Sequence, residues 1–171
     1  MKINADALSS FDALSSLAES DLRMMAPVLD GNQFRAGALV CREGDQGDCC
    51  YFLLSGSVAV SKVLPDGRRV RLAVLPENTL FGQSGLVPGQ VRTADVKAET
   101  EVVIATLSQR SLDWALRQKQ DWAVAVQAVV AINLVRQLRS ALDRLEELAA
   151  QENPSEQIEG RKRSDIQAPE S

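Results

Sequence analysis

Apolar residues near the start of the chain recur at intervals of three and four. The positions that carry this period are Leu8, Phe11, Leu14, Leu17, Leu22, Met25 and Leu29. Such spacing places apolar side chains on one face of an α-helix. The segment 5–29 is therefore predicted to form two short helices, with a break near the sequence AESD.

The pattern changes between Gln33 and Leu107, where short runs rich in valine, leucine, phenylalanine and tyrosine are separated by glycine, aspartate and proline. The sequence LPDGRR predicts a hairpin turn, because Pro65 presets φ and Gly67 tolerates a positive φ. Closely and evenly spaced strands with turn signals are typical of a sandwich or barrel. The fold class is predicted to be mainly β with flanking helices, the strands forming an eight-stranded antiparallel jelly-roll barrel.

Helical spacing returns after Ser108, which is a good N-cap for the sequence that follows it. A longer helix is predicted over 121–151, since the chain contains no glycine or proline there before Pro154. The last residues are polar and without pattern, which is typical of disorder. The predicted domain is thus 1–151, followed by a disordered polar tail at 152–171.

The long helix carries a second pattern that concerns assembly. Residues Leu134, Leu138, Ala141, Leu145 and Leu148 alternate at spacings of four and three, as in the seam of a coiled coil. The seam predicts a parallel homodimer through Leu134, Leu138, Leu145 and Leu148. The alternative is a monomer whose helix folds back on its own barrel.

Composition excludes several classes of function. The net charge of −4 and a pI near 5.0 argue against a nucleic-acid partner. There is no histidine, so Ser/His and Cys/His catalytic pairs are absent, and the three cysteines form no CxxC motif, so no metal or cofactor is predicted. Free cysteines, no signal peptide and no membrane-length apolar run indicate a cytoplasmic, non-enzymatic binding module.

A glycine-rich segment interrupts the later strands. Residues 81–96, FGQSGLVPGQVRTADV, contain three glycines and a single cation, Arg92. Two interpretations of this local pattern stay open: corner glycines with a solvated arginine, or a cradle for one anion. In the second interpretation, N–H groups at the start of a short helix and the arginine fork would bind the anion.

The order of the elements, together with REGDQGDCCYFLLSGSVAV and FGQSGLVPGQVRTADV, resembles the cyclic nucleotide-binding domain family. The resemblance extends over roughly residues 8–150. It implies that the glycine-rich segment is a phosphate-binding cassette and that the ligand is cAMP or cGMP. The ligand-binding residues it implies are Phe81, Gly82, Gln83, Ser84, Gly85, Arg92 and Thr93. It also implies that the base lies against the long helix, where Asn133 and Gln137 share one face.

Gln83 is a departure from the family pattern, which usually has an acid at this place that accepts a hydrogen bond from the ribose 2′-hydroxyl. An amide oxygen can still accept, but a neutral bond is weaker by about 1–2 kcal/mol. Thr93 is compatible with either purine. Ser84 either donates to phosphate or caps the short helix.

Three functions follow as hypotheses from the resemblance. The favoured one is a dimeric receptor for cAMP or cGMP that signals through a protein effector. The second is a degenerate domain without cyclic nucleotide that serves as a dimerisation scaffold. The third is the sensory half of a transcription regulator whose DNA-binding part has been removed. No helix-turn-helix follows the long helix in this sequence, so this chain alone is not expected to bind DNA.

Overall fold

A computed structural model describes residues 1–152 of the chain. The helices are α1 (Ala5–Ser9), α2 (Glu19–Met25), α3 (Gln109–Arg117) and α4 (Asp121–Glu152). The strands are β1 (Asp30–Phe34), β2 (Leu39–Cys41), β3 (Cys49–Ser55), β4 (Val58–Val63), β5 (Arg69–Leu75), β6 (Thr79–Phe81), β7 (Asp95–Ala98) and β8 (Val102–Ser108). The predicted mainly β architecture with flanking helices is confirmed.

The strands form two antiparallel sheets of four. Their orders are β1-β8-β3-β6 and β2-β7-β4-β5. The predicted closed barrel is wrong in this respect, because no strand ladder within residues 1–152 joins one sheet to the other. The edge strands β2 and β6 are only three residues long, too short to continue a ladder around a corner.

The core lies between the two sheets. It includes Tyr51 from β3, Val58 from β4, Phe81 from β6, Val96 from β7 and Ile104 from β8. Side chains alternate along a strand, so the next residue of β3 points to the opposite face. There Phe52 meets Phe11 of the N-terminal segment edge-on, with ring centroids 5.5 Å apart. Strand β3 is therefore buried on both faces.

The hairpin between β4 and β5 has the predicted turn. Gly67 has a φ of +83° and donates its N–H to the carbonyl oxygen of Leu64 over 2.9 Å. The N–H of Leu64 bonds in turn to the carbonyl of Arg68 over 2.8 Å. The turn agrees with the local sequence, because proline and glycine each restrict or permit a specific backbone angle.

The helical predictions are confirmed with small differences. Two short α-helices occupy the N-terminal segment, and Ser108 caps α3 by accepting a hydrogen bond from Ser111 N–H over 3.0 Å. Helix α4 begins at Asp121, as predicted. In the part of the chain that the structure describes, no helix is long and apolar enough to cross a membrane.

Contacts divide the chain into two units, Met1–Ala131 and Ile132–Ser171. The first unit contains both sheets, and the second contains the described part of α4 that follows Ala131. Within that part, the predicted seam residues Leu138, Leu145 and Leu148 are exposed, whereas Leu134 is half-buried. The domain limit at 151 stays a prediction, and the tail predicted at 152–171 lies, from residue 153 on, outside the described residues.

Candidate functional site

The glycine-rich segment connects the end of β6 to the start of β7. Phe81 is the last residue of β6, and Gln83–Leu86 form a single 3₁₀ turn whose N-cap is Gly82. Its first hydrogen bond runs from Gly85 N–H to the carbonyl of Gly82 over 3.0 Å. The predicted short helix is therefore only one turn long.

Two glycines of this segment are required by close packing against β3. Gly82 has a φ of +69°, and a Cβ there would lie 2.9 Å from a ring carbon of Tyr51. A Cβ on Gly85 would collide with the carbonyl oxygen of Cys49 and with the Arg92 guanidinium. The turn can approach β3 this closely only because both positions lack a side chain.

Arg92 is buried between the turn and β3, with only 5% of its surface exposed. Its backbone is fixed on both sides, since its N–H donates to Asp45 over 2.8 Å and its carbonyl accepts from Gly44 over 2.9 Å. The side chain turns inward and donates from Nη1 to the carbonyls of Cys49 (2.8 Å) and Gly82 (3.2 Å). Arg92 is thus part of the folded framework as well as a candidate ligand-binding residue.

The charge of Arg92 is only weakly compensated by the protein. Within residues 1–152, its one ion-pair partner is Asp48, whose Oδ1 lies 3.5 Å from Nη2 and whose side chain is 76% exposed. Buried charges in proteins are usually paired closely, because desolvation is costly. Since an arginine stays protonated, this arrangement leaves a net positive site that an anion can complete.

Two residues of β3, Cys49 and Tyr51, contribute to the site and were missed by the sequence reasoning. Arg92 Nη2 donates to Cys49 Sγ over 2.9 Å and to the Tyr51 hydroxyl over 3.1 Å. Burial raises the pKa of the Cys49 thiol and of the Tyr51 phenol. Both therefore stay neutral near neutral pH, and each accepts a hydrogen bond from Arg92.

Gln83 is buried, with 5% of its surface exposed. Its Nε2 donates to the carbonyl of Leu80 over 3.0 Å. A carbonyl can only accept, so the amide nitrogen must face Leu80 and the amide oxygen must point away from it. The amide oxygen is therefore free of this contact, and its predicted role as an acceptor for a ribose hydroxyl stays a prediction.

The same contact predicts the effect of Gln83→Glu. A carboxylate would face the Leu80 carbonyl as a second acceptor, so we expect the unliganded protein to lose about 1–3 kcal/mol at pH 7. The pKa of the new carboxyl should be raised, because only its protonated form can donate to Leu80. Stability should therefore recover as the pH falls towards about 4, in thermal unfolding series at pH 7, 5.5 and 4.5.

The isosteric Gln83→Met serves as the control, since it also removes the donor but carries no titratable group. Its loss of stability should not depend on pH over the same range. Equal stability of the parent and Gln83→Glu at pH 7 would contradict the inward-facing amide.

The remaining predicted site residues differ in how far they are buried. Ser84 is half-buried within the turn, and Thr93 is exposed, with its carbonyl accepting from Lys62 Nζ over 3.2 Å. Asn133 is half-buried and Gln137 exposed on the second unit's part of α4. The contribution of Asn133 and Gln137 to a ligand site stays a prediction.

The far end of the glycine-rich segment is held by Asp95. Its carboxylate pairs with Arg69 and accepts from the N–H of Glu43 over 2.8 Å. The hydrogen bonds from Arg69 and from the Glu43 amide lower the pKa of Asp95. The segment is thus anchored at both ends, by Gly82 and by Asp95.

The sequence of this chain is similar to that of a known protein family. The cyclic nucleotide-binding domain family profile matches residues 32–119, just over half of the chain. The cAMP-dependent protein kinase regulatory subunit of Debaryomyces hansenii is 36% identical over 104 residues, which cover 61% of this chain and 22% of that protein. The chain therefore spans about a fifth of that relative.

Solved structures of other proteins have the same fold as this chain. The N-terminal domain of a transcriptional regulator from Streptomyces coelicolor has a TM-score of 0.67 and 29% identity, covering 81% of this chain and 96% of its own. The Thermus thermophilus catabolite activator protein has a TM-score of 0.73 and 23% identity, covering 80% of this chain and 62% of its own. The second likeness concerns the fold alone.

Proposed function

Because the chain belongs to the cyclic nucleotide-binding domain family, we propose that it is a receptor module for a cyclic purine mononucleotide, cAMP or cGMP. The proposal treats the chain as a non-catalytic sensor. Binding would change how the chain engages a protein effector, so the ligand acts as a signal and not as a substrate. The three free cysteines fit a reducing compartment, which supports a cytoplasmic location as part of the proposal.

The observation that carries the proposal is the buried and undercompensated charge of Arg92. Its partner Asp48 is exposed and lies 3.5 Å away, so water and an incoming anion can both replace part of that contact. A cyclic phosphodiester carries one negative charge, which matches one arginine. We assign the phosphate to Arg92 and to the N–H groups of Gln83 and Ser84 at the start of the 3₁₀ turn.

The sugar would lie beside Gln83. Its amide oxygen points away from Leu80 and is an acceptor for a ribose 2′-hydroxyl, which supports a ribonucleotide as ligand. We propose Thr93, which follows Arg92, as a further polar contact. We assign the base edge to Asn133 and Gln137 on α4, and these residues leave the choice between adenine and guanine open.

Calorimetric titration of the purified chain with cAMP, cGMP and cyclic di-GMP tests the proposal. We expect one cAMP or cGMP per chain with a dissociation constant of about 1–100 μM, because the neutral Gln83 weakens the sugar contact. Cyclic di-GMP should not bind, since one arginine cannot compensate two phosphates. Absence of heat with all three ligands would favour the degenerate scaffold instead.

A further inference from the structure

The two terminal nitrogens of Arg92 have different kinds of partner. Among residues 1–152, the acceptors of Nη1 are two backbone carbonyls, those of Cys49 and Gly82. These acceptors belong to β3 and to the N-cap of the turn, so they cannot move without moving the main chain. Nη1 is therefore a fixed anchor of the guanidinium.

Nη2 donates to side chains, which can be exchanged. Its hydrogen-bond acceptors are Cys49 Sγ at 2.9 Å and the Tyr51 hydroxyl at 3.1 Å, and the exposed Asp48 carboxylate lies 3.5 Å away. A thiol is a weak acceptor. Nε lies on the same edge of the guanidinium, and none of the hydrogen bonds among residues 1–152 uses it. The Nε–Nη2 edge is thus the part of Arg92 that can turn to a bidentate anion.

The Tyr51 ring lies against the same guanidinium. The guanidinium carbon lies 4.9 Å from the centre of the ring, within the range of a cation–π contact. The ring stacks on Phe81 at a centroid distance of 5.0 Å and an angle of 24°. Tyr51 also pairs with Phe81 across β3 and β6, so strand register holds the stack in place.

We infer that Tyr51 has two opposite effects on the anionic ligand, an inference that rests on the proposed function. Its ring positions the guanidinium for binding, and its hydroxyl occupies the Nη2 donor that the phosphate must take over. Tyr51 is therefore a positioning residue for Arg92, and its hydroxyl competes with the ligand. Nothing in the sequence pattern distinguishes it from an ordinary core aromatic.

Two substitutions of Tyr51 should change affinity in opposite directions. Tyr51→Phe keeps the ring and removes the competing hydroxyl, so we expect the full chain to bind cAMP or cGMP about two- to fivefold more tightly. Tyr51→Leu removes the ring, and we expect binding to weaken by roughly tenfold or more. Titration calorimetry measures both.

A purely structural role would not produce this difference in sign. Both variants lose native contacts and should unfold at a lower temperature than the parent without ligand. The matched control is Phe52→Leu, one residue further along β3 on the opposite face, where the ring contacts Phe11 and not Arg92. It should lose stability and keep its affinity. Equal or weaker binding by Tyr51→Phe overturns the inference, even when Tyr51→Leu does not fold.

A second readout separates this inference from the proposed function. The Nε–H resonance of Arg92, assigned by its loss in Arg92→Lys, is followed while inorganic phosphate is added. It should shift at a lower phosphate concentration in Tyr51→Phe than in the parent. If the parent binds no cyclic nucleotide but shows this difference, only the proposed function fails. If the resonance shifts at the same phosphate concentration in the parent and in Tyr51→Phe, the inference about Tyr51 fails.

Discussion

Arg92→Ala is expected to reduce the affinity for cAMP or cGMP by roughly 30-fold to several thousandfold, corresponding to about 2–5 kcal/mol. The phosphate would lose its one buried cationic partner. Because Nη1 also bonds the carbonyl of Cys49, the variant should lose about 1–3 kcal/mol of folding stability when that buried acceptor loses its partner, whereas the Gly82 carbonyl keeps its bond from Gly85 N–H.

Arg92→Lys separates the two effects, since it keeps a charge but cannot form a fork. It should bind more tightly than the alanine variant and less tightly than the parent, in the same calorimetric titration. Arg68→Ala removes the same charge from an exposed hairpin position that pairs with Asp66, and it should leave affinity unchanged. A folded Arg92→Ala protein with parental affinity would rule out the phosphate role of Arg92.

Leu138→Glu combined with Leu145→Glu is expected to convert a dimer into a monomer. The leucine side chains at positions 138 and 145 are each 61% exposed in the single chain, so an isolated helix would leave an apolar stripe in water. A parallel coiled coil would bury both leucines. Four carboxylates in that seam would have to be desolvated and would repel each other, so the dimer should be lost at tens of micromolar protein. Light scattering measures the molecular mass.

The seam has a neighbouring alternative, because Val135, Leu138, Leu142 and Leu145 are also exposed at spacings of three and four. Leu138 and Leu145 belong to both, so the test does not depend on which is correct. Ser140→Glu with Ala150→Glu adds the same charge outside both seams and should stay dimeric. A parent chain that is monomeric with and without nucleotide would contradict the dimer.

Much of the secondary structure could be predicted because its signals are local. The Ser108 cap, the turn at Gly67 and the start of α4 at Asp121 each depend on residues within a few positions of one another. The strand region was predicted from Gln33 and begins at Asp30 instead, because strand ends depend on the pairing partner. The failure of the sheets to close into a barrel depends likewise on edge strands whose length is fixed by pairing.

The candidate site follows the same division between local and distant signals. The glycine-rich segment and Arg92 were identifiable, because a lone cation among glycines between apolar strands is unusual in sequence. The inward orientation of Gln83 was not, since its partner is a backbone carbonyl that carries no sequence signal. In the sequence, Tyr51 and Cys49 are not distinguishable from ordinary strand residues. Their role is visible only once β3 packs against the glycine-rich segment.

By itself, the sequence determined the elements, the family and the single positive charge of the site. Only the tertiary structure decided what surrounds that charge. Cys49 and Tyr51 lie 43 and 41 residues before Arg92, and they meet it because β3 pairs with β6 in a register that sets Tyr51 opposite Phe81. A hydrogen-bond register between distant strands depends on the packing of the whole core, so no local pattern carries it.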